Sequence, residues 1–351
     1  MSQGNDHSGQ SDTAAGIATL ADVAERAQVS TATVSRCLNA PERVAKPTRE
    51  RVLAAVQELG YSPNFGARAL AARRTGTVGA VIPTMDNAIF ARAIQAFQEE
   101  LRTHGVTLLM ACSSYRPEIE DEQIRALVAR GADALLLIGH QRSDAIYQFL
   151  ERRGVPALVA WVHDSDAPRP SIGFDNRKAM QELTREVIRQ GHRHIAVITA
   201  EQRDNDRARA RVEGICDAML AAGLSPDDLA LVETPYSIEH GRQAFARLMR
   251  RRPRPGVVIC GNDVLAAGAL QMAREMGLHV PGDVSITGFD DIEVATLVDP
   301  ALTTVHVPHR AMGRQAAQLL IEMVRSGAPL AENVELKTDL RLRGTLGPPP
   351  G

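Results

Sequence analysis

From Thr77 onward the sequence alternates short apolar runs with amphipathic stretches, and this alternation leaves few folds open. Val78–Pro83, Thr107–Ala111, Ala134–Ile138 and Ala157–Ala160 are strand-length and mostly aliphatic. Between them lie Phe90–Gly105, Glu118–Arg130 and Ser143–Arg153, whose apolar residues recur at helical spacing. After Asp175 the rhythm restarts. Arg177–Gln190 leads to Ile195–Ile198, Arg207–Ala222 to Leu229–Glu233, Ile238–Arg250 to Gly256–Cys260, and Val264–Met276 to Ser285–Gly288. A strand that is apolar throughout is buried on both faces, which means parallel sheet with helices on either side. Two such series predict two similar α/β lobes of doubly wound parallel sheet. Ligands of such sheets bind at the carboxyl ends of the strands, so here they would sit between the lobes.

The segment before Thr77 obeys a different rule. Ile17–Gly60 is all helical signal. Thr19 can cap a first helix, with Asp22 in the capping-box position. Leu20, Val23, Ala24 and Ala27 give its apolar face. Ser30 can cap a second helix, faced by Val34, Cys37 and Leu38 and stopped by Pro41. Thr48 is expected to cap a third, with Val52, Ala55, Val56 and Leu59 as its stripe and Gly60 as its stop. Two short helices joined by almost no loop need small residues where they cross, and Ala24 and Ala27 supply them; Val29 and Val34 lock the angle. This is a helix-turn-helix. Its second helix exposes Thr31, Ala32, Ser35 and Arg36. Arg36 can pair bidentately with guanine, worth ~1–3 kcal/mol of discrimination. The hydroxyls of Thr19, Ser30, Thr33 and Ser35 suit phosphate contacts, which position without specifying. Leu20 and Asn39 complete the candidate DNA-contacting residues of this head.

Charge follows the same division. Ile17–Arg74 holds nine Lys/Arg against five Asp/Glu, so with a whole-chain charge of −2 the remainder carries −6. A small basic module on a larger acidic body suits a polyanion-binding head. The first 16 residues are polar, without the apolar core of a signal peptide, and read as a disordered tail. No apolar run approaches the ~20 residues a bilayer needs. The four cysteines form no CxxC pair, which fits free thiols in a reducing cytoplasm. His192 and His194 are the closest histidine pair, but no third ligand accompanies them, so no metal and no cofactor is expected. Neither GxGxxG after the first strand, nor GxxxxGK(S/T), nor GxSxG occurs, which argues against an enzyme on this sheet and leaves no catalytic residue to name.

Several motifs together resemble one family. TLADVAERAQVSTATVSRCLN, the following ELGYSPN and the ARALA linker, then GHRHIAVI (Gly191–Ile198), GNDVLAAGAL (Gly261–Leu270), VPGDVSITGFDD (Val280–Asp291) and DPALTTVHVP (Asp299–Pro308), resemble the lactose-repressor-type (LacI/GalR) bacterial regulators over nearly the whole chain beyond Gly16. The resemblance implies a periplasmic-binding-protein-like core behind the head. The expected organisation is a tail (1–16), a head (17–62), a hinge linker (63–76) and a core (77–347). The N-lobe of the core would be 77–175 with 309–336, and the C-lobe 176–305 with 337–347. The linker would fold as a hinge helix on operator DNA and insert Leu70 into the minor groove, with Asn64 and Arg68 beside it. The implied partners are palindromic operator DNA, a second copy of the chain and a small sugar or sugar acid.

For the effector, the resemblance singles out Arg211 and Asp290 as the most direct contacts and Phe90 and Tyr236 as apolar walls. Asp175, Asn262 and Trp161 join them as candidates. Arg211 can grip a carboxylate or hydroxyls through its planar fork. Asp175 reads equally as a helix cap, and Asp263 reads as a cap rather than a ligand. Trp161 and Val307 replace polar groups found in some members. Asn87–Phe90 and Ser114–Glu118 look like the gluconate-type repressors, a pointer to a sugar acid. The competing reading is a sugar-binding protein that does not regulate DNA; such a protein needs a secretion signal and no helix-turn-helix.

Overall fold

The computed structural model describes residues 18–62, 74–86, 88–328 and 332–350, with only the backbone of Asn39. The chain forms two compact units, Met1–Thr75 and Gly76–Gly351.

The first unit holds α1 (Leu20–Ala27), α2 (Thr31–Asn39), a 3-10 turn at Pro41–Arg43 and α3 (Lys46–Glu58). Thr19 and Asp22 form the expected capping box: Thr19 Oγ1 accepts from Asp22 N at 3.3 Å, and Asp22 Oδ2 accepts from Thr19 N at 2.7 Å. Ser30 Oγ accepts from Thr33 N at 3.2 Å and so caps α2. Between the two, Gln28 takes a left-handed conformation (φ 55°) and Val29 N donates to Ala24 O. Val23, Ala24, Ala27, Val34, Cys37, Val52 and Ala55 make one buried cluster, and Arg26 pairs with Glu58 to tie α1 to α3. Thr48 is not the cap of α3. That helix starts two residues earlier, with Ala45 at the N-cap and Pro47 in the first turn. The first-turn N–H groups have no partner inside a helix, so a proline costs nothing there and its fixed φ favours the start.

The second unit has two six-stranded sheets. The first has the order β11-β5-β4-β3-β1-β2, from β1 (Thr77–Ile82), β2 (Thr107–Cys112), β3 (Ala134–Ile138), β4 (Ala157–Ala160), β5 (Ser171–Gly173) and β11 (Val334–Glu335). The second has the order β12-β10-β9-β8-β6-β7, from β6 (Ile195–Thr199), β7 (Ala230–Glu233), β8 (Val257–Cys260), β9 (Ser285–Asp290), β10 (Thr303–His306) and β12 (Asp339–Arg341). All pairings are parallel except β10 with β12. Every residue of β1, β3, β8 and β9 is buried, as apolar runs covered on both faces require. The covering helices are α4 (Ala88–Thr103), α5 (Pro117–Ala129), α6 (Asp144–Arg153) and α12 (His309–Ser326) for the first lobe. Those of the second are α7 (Asn176–Arg189), α8 (Asp206–Ala221), α9 (Ile238–Leu248) and α10 (Asp263–Glu275), with the short α11 (Val294–Leu297) after β9.

The chain passes between the lobes three times: from β5 to α7, from β10 to α12, and from β11 to β12. In each sheet the first strand sits between the second and the third, so the strand order reverses beside β1 and beside β6. Loops leaving a reversal diverge and open a crevice. The two crevices face one another. No described helix is long and apolar enough to cross a membrane.

Helices α7 and α8 approach until their backbones touch, and Gly214 makes this possible: a Cβ there would collide with the Arg177 carbonyl. Gly214→Ala is expected to lower stability by about 1–3 kcal/mol through overpacking. Urea unfolding monitored by circular dichroism measures this; an unchanged midpoint would mean that the helices separate without cost.

Candidate functional site

The backbone itself marks the crevice. Six described non-glycine residues have positive φ, and five of them lie at strand ends facing the gap between the lobes: Ser114 (53°), Tyr115 (58°), Trp161 (64°), Asp290 (103°) and Asp291 (53°). Each costs of order 1–3 kcal/mol, and a fold retains such strain where it aims a side chain. The φ of Trp161 is notable because a bulky residue rarely enters the left-handed region.

The side chains aimed there form a largely aromatic and mostly buried chamber. Phe90, on the first turn of α4, meets the Trp161 ring edge-on with centroids 5.1 Å apart. Phe174 and Phe289 lie 5.9 Å apart. Tyr115 and Tyr236 approach from opposite lobes at 5.9 Å. The guanidinium of Arg211, on α8, lies 4.9 Å from the centroid of the Phe289 ring, a cation–π contact. Its Nη1 donates to Asn176 Oδ1 at 2.8 Å and its Nη2 to the Tyr236 hydroxyl at 2.8 Å. Both partners are neutral. Nε has no hydrogen-bond partner and is buried.

Water exclusion sets the charge states. Burial pushes the Asp290 carboxyl up to about 6, although the Arg211 and Arg207 charges pull the other way. Burial drives the His309 imidazole down to about 4, so it is neutral. His309 Nε2 stands 3.2 Å from the Asp290 carbonyl oxygen. A carbonyl only accepts, so Nε2 carries the proton and Nδ1 is an acceptor. Four buried polar atoms at the chamber have no partner among the described residues: the donors Trp161 Nε1, Arg211 Nε and Asn262 Nδ2, and the acceptor His309 Nδ1. A buried polar atom left in this state costs about 1–3 kcal/mol. Three donors and one acceptor suit a ligand rich in oxygen.

One cap differs from expectation and one agrees with it. Asn262, not Asp263, caps α10: Asn262 Oδ1 accepts from Leu265 N at 2.9 Å. Asp263, one position later, turns into the protein and accepts from Ile292 N at 2.8 Å and Thr304 Oγ1 at 2.6 Å. It thereby pins the loop after β9 that presents Asp290 and Asp291. Asp175 caps α7 through Lys178 N at 2.9 Å. It also lines a cavity of about 610 Å³ together with Asn176 and Arg207. Val307 is buried in the core shared by the lobes.

The lobes also touch beyond the chamber. His140 N donates to Asp206 Oδ2 at 2.5 Å, and Arg209 Nη1 to Gln141 Oε1 at 3.1 Å. Gly139 (φ 75°) makes the approach possible, since a Cβ there would collide with the Arg207 guanidinium and the Asp206 carboxylate. A second cavity of about 630 Å³ opens beyond the tyrosine pair, with Asp86 on one lobe and Glu201 and Glu233 on the other.

Sequence reasoning missed Asn176, Tyr115, Arg207 and His309. Only Arg207 left a local signal, because residues four apart share a helix face with Arg211. Among the described residues, no group of three His, Cys, Asp or Glu side chains is placed to hold a metal. His192 is buried, with Nε2 2.8 Å from the Gly347 carbonyl.

In the head, Thr31 and Ala32 are exposed at the start of α2 and Arg36 in its last turn, with Ser30 at its cap. Thr33 and Ser35 are half-buried, as is Leu20 at the start of α1. The hydroxyls of Thr19 and Ser30 are engaged by Asp22 and Thr33. Asn64, Arg68, Leu70 and the side chain of Asn39 lie outside the described residues.

A helix-turn-helix head with a two-lobed, ligand-binding type of core defines a class: bacterial regulators with an effector domain. Residues 19–64 match the family model for bacterial regulatory proteins of the lacI family. Residues 75–341 match that for periplasmic binding proteins and the sugar-binding domain of the LacI family. The chain belongs to the LacI family. It is 31% identical to the HTH-type transcriptional regulator GntR of Escherichia coli K12 over 327 residues, covering 93% of this chain and 98% of the relative. Its fold is similar to the lac repressor dimer bound to operator and the anti-inducer ONPF (TM-score 0.82, 27% identity, 94% of this chain and 99% of that one). It is also similar to the transcriptional regulator CelR in complex with cellobiose (TM-score 0.67, 29% identity, 93% and 99%).

The buried His309 and Asp290 predict opposite pH effects. His309 falls from its ordinary 6.5 to about 4 on folding. Its contribution to stability is therefore full above pH 6.5 and lost as pH falls toward 4, by up to about 1.4 kcal/mol per pH unit. Asp290 rises from 3.8 to about 6, so its contribution is present below pH 3.8 and lost as pH rises through 6. His309→Gln is expected to flatten the acid limb of stability, followed by urea midpoints between pH 4 and 7. An acid limb as steep as that of the wild type would contradict a neutral buried imidazole.

Proposed function

We propose that this chain is a cytoplasmic transcriptional repressor whose grip on operator DNA is switched by a small carboxylate-bearing sugar held between the lobes. The observation that carries the effector half is Arg211: a buried guanidinium whose two hydrogen-bond partners are neutral and whose Nε–H is unpaired. A carboxylate supplies both the charge and the acceptor, and charge-assisted bonds of this kind are about twice as strong as neutral ones. The other chamber groups divide the remaining work. Trp161 Nε1 and Asn262 Nδ2 donate to ligand oxygens, and His309 Nδ1 and Asp290 accept from hydroxyls. Phe90 and Tyr236 exclude water. Asp175, a helix cap on the wall of the adjoining cavity, stands at the edge of the site. The likeness to CelR, solved with cellobiose, supports a carbohydrate.

In the head, Arg36 and the exposed start of α2 enter the major groove, and Leu70 in the linker wedges the minor groove. One helix-turn-helix reads half a site, so two copies related by a two-fold axis read a palindrome; the likeness to the lac repressor dimer on its operator supports this arrangement. Ligand acts by favouring one lobe arrangement over the other, and can shift operator affinity only by its differential affinity for the two. The chain is read as a regulator, not an enzyme, and as one bound to DNA rather than a sugar carrier.

Electrophoretic mobility shift on DNA upstream of its own gene, with a panel of sugar acids and neutral sugars, tests this reading. Arg36→Ala is expected to weaken operator binding by ~1–3 kcal/mol and leave effector binding intact. Arg211→Ala is expected to abolish the effector response and leave DNA binding intact. An Arg211→Ala protein that still releases operator with the same ligand at the same concentration would remove the basis for the proposal.

A further inference from the structure

We infer that Asn176 is a positioning residue that orients Arg211 for an anionic ligand and ties it to the backbone of Trp161 in the opposite lobe. The inference rests on the reading above that the chamber takes a carboxylate.

Asn176 is the first residue of α7, where the chain has just crossed from the first sheet to the second. Helix capping does not account for it, because Asp175 already caps Lys178 N. Yet its side chain is buried, and both ends of the amide are used. Nδ2 donates to the Trp161 carbonyl at 2.9 Å. Oδ1 accepts from Arg211 Nη1 at 2.8 Å. One planar group therefore spans a strained residue of the first lobe and the guanidinium of the second.

The surroundings fix this geometry. Gly214 lets α8 lie against the Arg177 carbonyl, and Arg211, one turn earlier on the same helix face, is thereby brought beside Asn176. Tyr236 holds the other terminal nitrogen. With both terminal nitrogens engaged by neutral acceptors, the guanidinium keeps its full charge and one orientation, with Nε–H still to be satisfied. An aspartate in place of Asn176 would occupy nearly the same volume but neutralise that charge at hydrogen-bond distance, and would lose the donor to Trp161.

The test uses the full-length protein and the emission of Trp161, the only tryptophan in the chain. Gluconate and glucose serve as the anionic and neutral probes. In Asn176→Asp, affinity for gluconate is expected to fall at least about tenfold, the loss of one charge-assisted bond, while any affinity for glucose changes by less than about threefold. Asn176→Ala, without ligand, is expected to raise acrylamide quenching of Trp161 because its carbonyl has lost its donor. Equal weakening for both probes, or gluconate binding as tight as in the wild type, would overturn the positioning role. Unchanged quenching in Asn176→Ala would overturn the tie to Trp161. A wild-type protein that binds no sugar acid while the quenching arm succeeds would sink the carboxylate reading and leave the tie standing.

Discussion

A guanidinium removed from water must find acceptors, and the partners of Arg211 are drawn from across the second unit. Asn176 comes from the crossover between lobes, Tyr236 from the end of β7, and the Phe289 face from β9. Each is in place because a parallel sheet brings the ends of its strands to one edge, and because two such edges face each other. Arg211 is thus where the requirements of sheet topology, close helix packing and electrostatics meet. The tight approach at Gly214 belongs to the same arrangement, since a wider spacing of α7 and α8 would leave the guanidinium with a single partner.

The buried chamber is expensive to maintain. Asp263 and Asp290 are both pushed upward by burial, and His309 downward. Asp263 is tolerated in the interior because its two hydrogen bonds hold the loop whose residues 290 and 291 adopt positive φ. On the far side of that loop, Asp291 is clamped by Arg343 at 2.7 Å and faces His306 at 2.9 Å. The cost of burying one carboxyl is thereby converted into precise placement of its neighbour, a common exchange of stability for function.

Much of this was legible in the sequence. The two series of apolar runs announced two parallel sheets, and periodicity alone placed most helices to within a residue or two. What sequence could not supply was the direction in which a polar residue turns. Asn262 and Asp263 are adjacent at a helix start and either could cap; the β-region backbone of Asn262 (φ −157°) brings its side chain back to the helix, while Asp263 faces the strand ends. Asp175 and Asn176 pose the same ambiguity, and Asn176 was overlooked because its partners, Trp161 and Arg211, are 15 and 35 positions away. The positive φ of Trp161 left no trace either, since nothing in a tryptophan's type signals it. Thr48 failed for a simpler reason: Pro47, one residue before it, sits in the first turn, where a helix accepts a proline, so the helix has already begun.

The three chain crossings between the lobes have a mechanical consequence. A single tether would let the lobes swing and twist freely, and two would still act as an axle along which they could slide. Three crossings restrain sliding and torsion more than opening, which makes the angle between the lobes the softest coordinate. A ligand that favours one angle over another would then act on the rest of the chain through that angle. Ligands of different shape that set the same angle are indistinguishable to anything outside the domain, so chemical selectivity has to be exercised at the chamber wall.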